Sequence, residues 1–62
     1  MELDKEKIIE LKRKSNLTWA DIARITGLNN RQTAYDRWVR GNVNAAEYFA
    51  GIFNVDPMEL IK

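Results

Sequence analysis

The feature that most constrains this chain is the recurrence of helix-start signals. Five times in 62 residues, a side chain able to cap a helix stands just before a run with helical spacing. The caps are Asp4, Thr18, the pair Asn29-Asn30, Asn44 and Asp56. Each carries an oxygen that can accept from the N–H groups a first helical turn leaves unpaired. Most also have an apolar residue outside the cap that can pack on one inside the helix: Leu3 with Ile8, Leu17 with Ile22, Val43 with Tyr48, Val55 with Leu60. Asp21, Glu47 and Glu59 stand three residues after Thr18, Asn44 and Asp56, the spacing of a reciprocal capping box. Pro57 occupies the first helical position, where its missing N–H would have had no partner anyway. Five helices are expected, with no strand among them.

Helix stops are also legible. Asn16 and Gly27 suit left-handed backbone after the first and second helices, and Gly41 ends the third. Lys12, Arg13 and Lys14 fall in the last turn of the first helix, where cations favour the negative end of the helix dipole or can meet phosphate. Spacing turns Ile8 and Leu11 inward, broadened by Ile9, and leaves Lys5, Glu6, Lys7, Glu10 and Arg13 to water. In the second helix Ile22 and Ala23 point inward; Ala23 is small where the next helix must cross closely, and Ile25 falls near the surface. Leu28 then plugs the core. The third helix, about 31–40, is expected to bury Tyr35 and Trp38 with Ala34 or Val39 beside them. Ala46, Phe49, Ala50 and Phe53 give the fourth helix its apolar face.

This length makes one domain, residues 1–62, whose core is expected to supply only about 3–5 kcal/mol. Cysteine and histidine are both absent. Their absence removes disulfides, thiolate zinc sites and the Ser-His and Cys-His nucleophile pairs. No glycine loop suited to cradling phosphate is present, and the chain has little bulk to enclose a substrate. An enzyme, a cofactor and a small-molecule ligand are therefore not expected. No apolar run approaches the roughly 18 residues of a membrane span, and the acidic start does not fit a secretory signal. A cytoplasmic location is the expectation.

The net charge of +1 says little, but its distribution says more. Residues 1–11 hold two basic and four acidic side chains, residues 12–40 hold seven and two, and residues 41–62 hold one and three. Positive charge is thus concentrated around the second and third helices, as a phosphate-facing surface requires.

Two short helices joined at a corner such as Gly27 have the form of a helix-turn-helix, whose second helix enters the major groove of DNA. On the expected outer face of the third helix, Gln32, Thr33, Asp36 and Arg37 are candidates to read bases. Arg37 suits guanine O6 and N7, Gln32 adenine N6 and N7, Asp36 cytosine N4, and the Thr33 methyl a thymine methyl. Arg31 and Arg40, at the two ends of that helix, suit backbone phosphates, as do Asn42, Asn44, Thr18, Trp19 and Lys14. Each has a plainer reading: Asp36 can pair with Arg40 one turn on, Trp19 can pack over the first helix, and Tyr35 and Trp38 are core rather than stacking platforms.

From these residues, the chain resembles the Cro/CI-type (Xre) helix-turn-helix repressors of bacteria and their phages. The resemblance covers about residues 8–61. Its landmarks are Leu17-Thr18, Ile22-Ala23, the corner Thr26 to Leu28, Trp38 with Gly41, and the terminal run Phe53 to Ile61. No landmark is specific alone; their order and spacing are. It implies an all-α, compact five-helix bundle of the lambda-repressor-like kind, with the helix-turn-helix at helices 2–3. The family usually has Gln where Trp19 stands, and the distance from corner to Trp38 is two residues longer here. An Arg–Glu pair common in the family is replaced by Lys12 and Val39.

The implied function is sequence-specific binding of double-stranded DNA by a transcriptional repressor or Cro-like regulator. One small domain makes few contacts, so a weak homodimer on a palindromic operator is expected, joined through Tyr48, Ile52, Met58 and Ile61. The alternative keeps the fold but makes it a protein-binding adaptor, an antagonist of a regulator or an antitoxin-like partner.

Overall fold

The structure is a computed structural model that describes residues 1–28 and 30–62. Among the described residues four α-helices follow one another: α1 Lys5–Lys14, α2 Trp19–Ile25, α3 Arg31–Arg40 and α4 Ala45–Phe53. A single 3-10 turn, Pro57–Leu60, closes the chain. The expected fifth α-helix is therefore corrected to one tight turn. Asp56 does cap it, accepting from the Met58 N–H at 2.9 Å, but Ile61 goes extended and pairs antiparallel with Leu3. The Asp4 N–H donates to the Leu60 carbonyl at 2.7 Å, and Glu2 and Lys62 exchange two backbone bonds of 2.8 Å. These bonds take up the backbone groups that a longer helix would have used.

Three of the other N-caps are as expected. Asp4 accepts from the Lys7 N–H, and Asn30 from the Gln32 N–H. Thr18 and Asp21 form a full capping box: the Asp21 N–H donates to Thr18 Oγ1 at 3.1 Å and the Thr18 N–H to Asp21 Oδ2 at 3.0 Å. The alternative cap at Asn29 lies outside the described residues. Asn44 is a correction: its backbone is helical and its side chain makes no cap bond. The Ala45 and Ala46 N–H groups already donate to the carbonyls of Asn42 and Val43, so a turn of backbone does the work assigned to a side chain.

The Thr18 backbone N–H, then its hydroxyl and the nearby Arg24 guanidinium, hold the Asp21 carboxyl below its ordinary 3.8. A depressed carboxylate stabilises the fold above its unfolded value, and that contribution disappears as pH falls through the folded value. Asp21→Asn is therefore expected to lower the thermal midpoint at pH 7 and to match the unmutated chain well below pH 3.8. An equal deficit at both pH values would show that ionisation of Asp21 is not what stabilises α2.

The C-termini are closed by paired backbone bonds. After α1, Asn16 is left-handed (φ 56°), with the Asn16 N–H donating to the Arg13 carbonyl and the Leu17 N–H to that of Lys12. After α2, Gly27 (φ 78°) repeats the pattern through the Arg24 and Ala23 carbonyls. Both are the Schellman arrangement. Gly41 ends α3 at φ 66°, and a Cβ there would lie 2.9 Å from Lys5 Cε. Gly41→Ala is expected to cost about 1–2 kcal/mol through left-handed strain alone. Gly51 lies inside α4 with open space around it, so Gly51→Ala should instead stabilise by about 0.5–1 kcal/mol. Urea titration of the two variants checks both signs.

The core consists of Leu3, Ile8, Ile22, Ala23, Ala34, Ala45, Ala46, Phe49, Ala50 and Leu60. α2 and α3 make the most extensive helix pair. Ala23 and Ala34 are both buried on that pair, and such small side chains let two helices approach closely. Here the expected register of α3 is corrected. Ala34 is fully buried and Trp38 half-buried, but Tyr35 is 39% and Val39 43% exposed. α3 is rotated so that a methyl, not a ring, is its fully buried group.

The rings form a belt beside the crossing. Trp19 meets Tyr35 and Phe49 edge-on, at 5.5 and 6.3 Å between centroids, and Trp38 at a tilt, at 5.7 Å. Lys5 is a further correction. It is half-buried rather than fully in water, and its ammonium donates to the exposed Val39 carbonyl at 2.8 Å and lies 5.6 Å from the Trp38 ring centre. The Trp38 indole N–H donates in turn to the Lys5 carbonyl at 3.1 Å. α1 is thereby latched onto the end of α3.

Candidate nucleic-acid interface

α3 presents its polar edge because Ala34 and Trp38 fix which side turns inward. Thr33, Asp36, Arg37 and Arg40 then line one wall of a groove of about 390 Å³, with Asn42, Asn44 and Ala45 supplying the other. Six residues expected at the site, three as base readers and three as phosphate contacts, are thus brought together. Gln32, a turn before Asp36, donates its side-chain amide to Asp36 Oδ1 at 3.1 Å and so borders the same surface. The plainer reading of Asp36, a pair with Arg40, is not seen: Asp36 makes this amide contact and no salt bridge among the described residues.

Charge follows geometry. Among the described residues the salt bridges are Lys14–Glu10 at 3.2 Å and Arg24–Asp21 at 3.3 Å. Neither involves Arg31, Arg37 or Arg40. Three exposed guanidiniums on one helix are thus left without a carboxylate within bonding distance among the described residues. Arg37 lies over the Tyr48 ring, its central carbon 4.6 Å from the ring centre.

Other expected site residues lie elsewhere. Arg31 is exposed at the start of α3, away from the groove walls. Thr18 has its N–H and hydroxyl engaged by the Asp21 box. Trp19 is half-buried in the aromatic belt with the Lys12 ammonium 5.3 Å from its ring, which realises the packing reading. Lys14 is paired with Glu10 and borders a different groove, of about 490 Å³, on α1. That second groove mixes Lys5, Arg13 and Lys14 with Glu6 and Glu10 over Ile9 and Trp38, so it has no dominant charge.

Of the expected homodimer face, Tyr48 is engaged within the fold through Thr26 and Phe49. Ile52 and Ile61 are half-buried, and Met58 is 66% exposed. Among the described residues no three carboxylates converge as a metal site would need, and no helix is long and apolar enough to cross a membrane. Sequence reasoning missed the contribution of Tyr48 to the Arg37 surface. Its one visible signal was a polar-tipped ring next to Phe49, but nothing in the sequence set the register of α4 against α3.

No family model, curated protein or solved structure gives a significant match to this chain.

Proposed function

We propose that the chain binds double-stranded DNA in a sequence-specific way, as a transcriptional repressor of the Cro/CI kind. In this reading α2 and α3 are the helix-turn-helix of a lambda-repressor-like domain, and α3 enters the major groove. The observation that carries it is the α3 surface: Thr33, Asp36, Arg37 and Arg40 share a groove with Asn42 and Asn44, and the arginines lack carboxylate partners among the described residues. Arg31 and Arg40 hold phosphates and supply affinity that falls with salt. Gln32, Thr33, Asp36 and Arg37 read base edges.

The longest dimension of the chain is 29 Å, shorter than the roughly 34 Å between half-sites one helical turn apart. One copy therefore covers one half-site, and two copies related by a two-fold axis, meeting through exposed Met58, serve a palindrome. Selection of bound duplexes from a random pool tests both parts. A recovered palindrome with half-sites about 10 base pairs apart is expected. Recovery of no common sequence, with no gel shift at 50 or 200 mM salt, would remove the proposal.

The competing reading is a protein-binding adaptor on the same fold. It is favoured by the packing of Trp19 into the aromatic belt and by the surface pairing of Lys14 with Glu10. It predicts no shift at either salt concentration, whereas phosphate binding predicts a shift that weakens steeply between them.

A further inference from the structure

We propose that Tyr48, on α4 and outside the reading helix, is a positioning residue that fixes Arg37 to read guanine. The inference rests on the DNA-binding reading above and adds to it the group that aims the arginine.

Tyr48 is itself held from two sides. Its hydroxyl shares a 2.9 Å hydrogen bond with Thr26 Oγ1, which also reaches the carbonyls of Ile22 and Ala23 at the end of α2. Its ring meets Phe49 edge-on, 5.0 Å between centroids at 81°. A ring pinned at its tip and along its side has little freedom to turn. Arg37 lies across the face of that ring at 4.6 Å. Three helices thus meet at one stack: Thr26 after α2, Tyr48 on α4 and Arg37 on α3.

The stack matters because a free arginine side chain is long and loses rotamer freedom when it binds. Cation–π contact with the ring restrains it in advance and uses none of its N–H donors. The planar fork stays available for two acceptors side by side, which in the major groove is the pattern of guanine O6 and N7. The nearest acidic neighbour in sequence, Asp36, is not paired with it among the described residues, since adjacent positions on a helix do not face one another.

The test uses Tyr48→Leu and Tyr48→Phe in the full chain, each checked for folding by circular dichroism. Tyr48→Met replaces the Leu variant if that one fails to fold. Without DNA, Arg37 side-chain protons should show a ring-current shift in NMR spectra that is lost in Tyr48→Leu and kept in Tyr48→Phe. With the selected duplex, discrimination at one G·C pair should fall about tenfold in Tyr48→Leu, stay within about twofold in Tyr48→Phe, and leave binding to unrelated duplex unchanged. A folded Tyr48→Leu that keeps the full preference overturns the assignment. If the unmutated chain selects no duplex, the DNA reading falls and this assignment with it. That result is distinct from one in which a duplex is selected and Tyr48→Leu selects the same one.

Discussion

Phe49→Ala is expected to leave the chain unfolded at 25 °C, read as loss of helical circular dichroism. Phe49 is among the largest fully buried side chains and packs edge-on against both Trp19 and Tyr48. Removing such a ring costs about 3–5 kcal/mol, comparable with the whole stability of a domain this small. Trp38→Ala should cost less, near the lower end of about 3–5 kcal/mol, because the indole is only half-buried. It would still release the hydrogen bond that latches α1 to α3. Met58→Ala serves as a control, since a side chain so exposed should change stability by no more than about 0.5 kcal/mol. A Phe49→Ala variant that melts within a few degrees of the unmutated chain would mean that the core is organised around some other group.

The second large effect concerns recognition. On a palindrome bound by two copies, each Arg37 meets its own half-site. Arg37→Ala should therefore reduce discrimination by about 2–6 kcal/mol, twice the roughly 1–3 kcal/mol of one bidentate contact. Arg31→Ala should weaken selected and unrelated duplexes alike and make the salt dependence shallower, as expected of a phosphate contact. Competition binding at two salt concentrations separates the patterns. If both variants bind the selected duplex as the unmutated chain does, α3 is not the reading helix.

How much of this was legible depends on how local the determining interaction is. Asp4, Thr18, Asn30 and Asp56 cap helices through bonds that span two or three residues, so the sequence alone exposes them. Gly27 and Gly41 are legible for the same reason: left-handed backbone is a property of one residue. The register of α3 is not local. Two rings three positions apart are the natural inward pair by hydrophobicity, yet the fully buried position of α3 is Ala34, a methyl. Tyr35 then falls to the rim of the aromatic belt. The polar edge survived this rotation because Thr33, Asp36, Arg37 and Arg40, spaced i, i+3, i+4 and i+7, share one stripe of the helix and line one groove.

Asn44 and the last turn show a second limit. A cap residue offers an acceptor, but only the path of the chain decides whether an N–H is still unpaired when the helix begins. The backbone between Gly41 and Ala45 turns before the side chain is needed. Likewise the contact of Lys5 with the Val39 carbonyl joins positions 34 apart, beyond any periodicity.

The pairing of Leu3 with Ile61 has an architectural consequence. Because Glu2 and Lys62 run side by side, a linker of a few residues could close the backbone into a ring without disturbing any helix. For the same reason the whole unit could be spliced into a surface loop of an unrelated host, with both junctions leaving through one doorway.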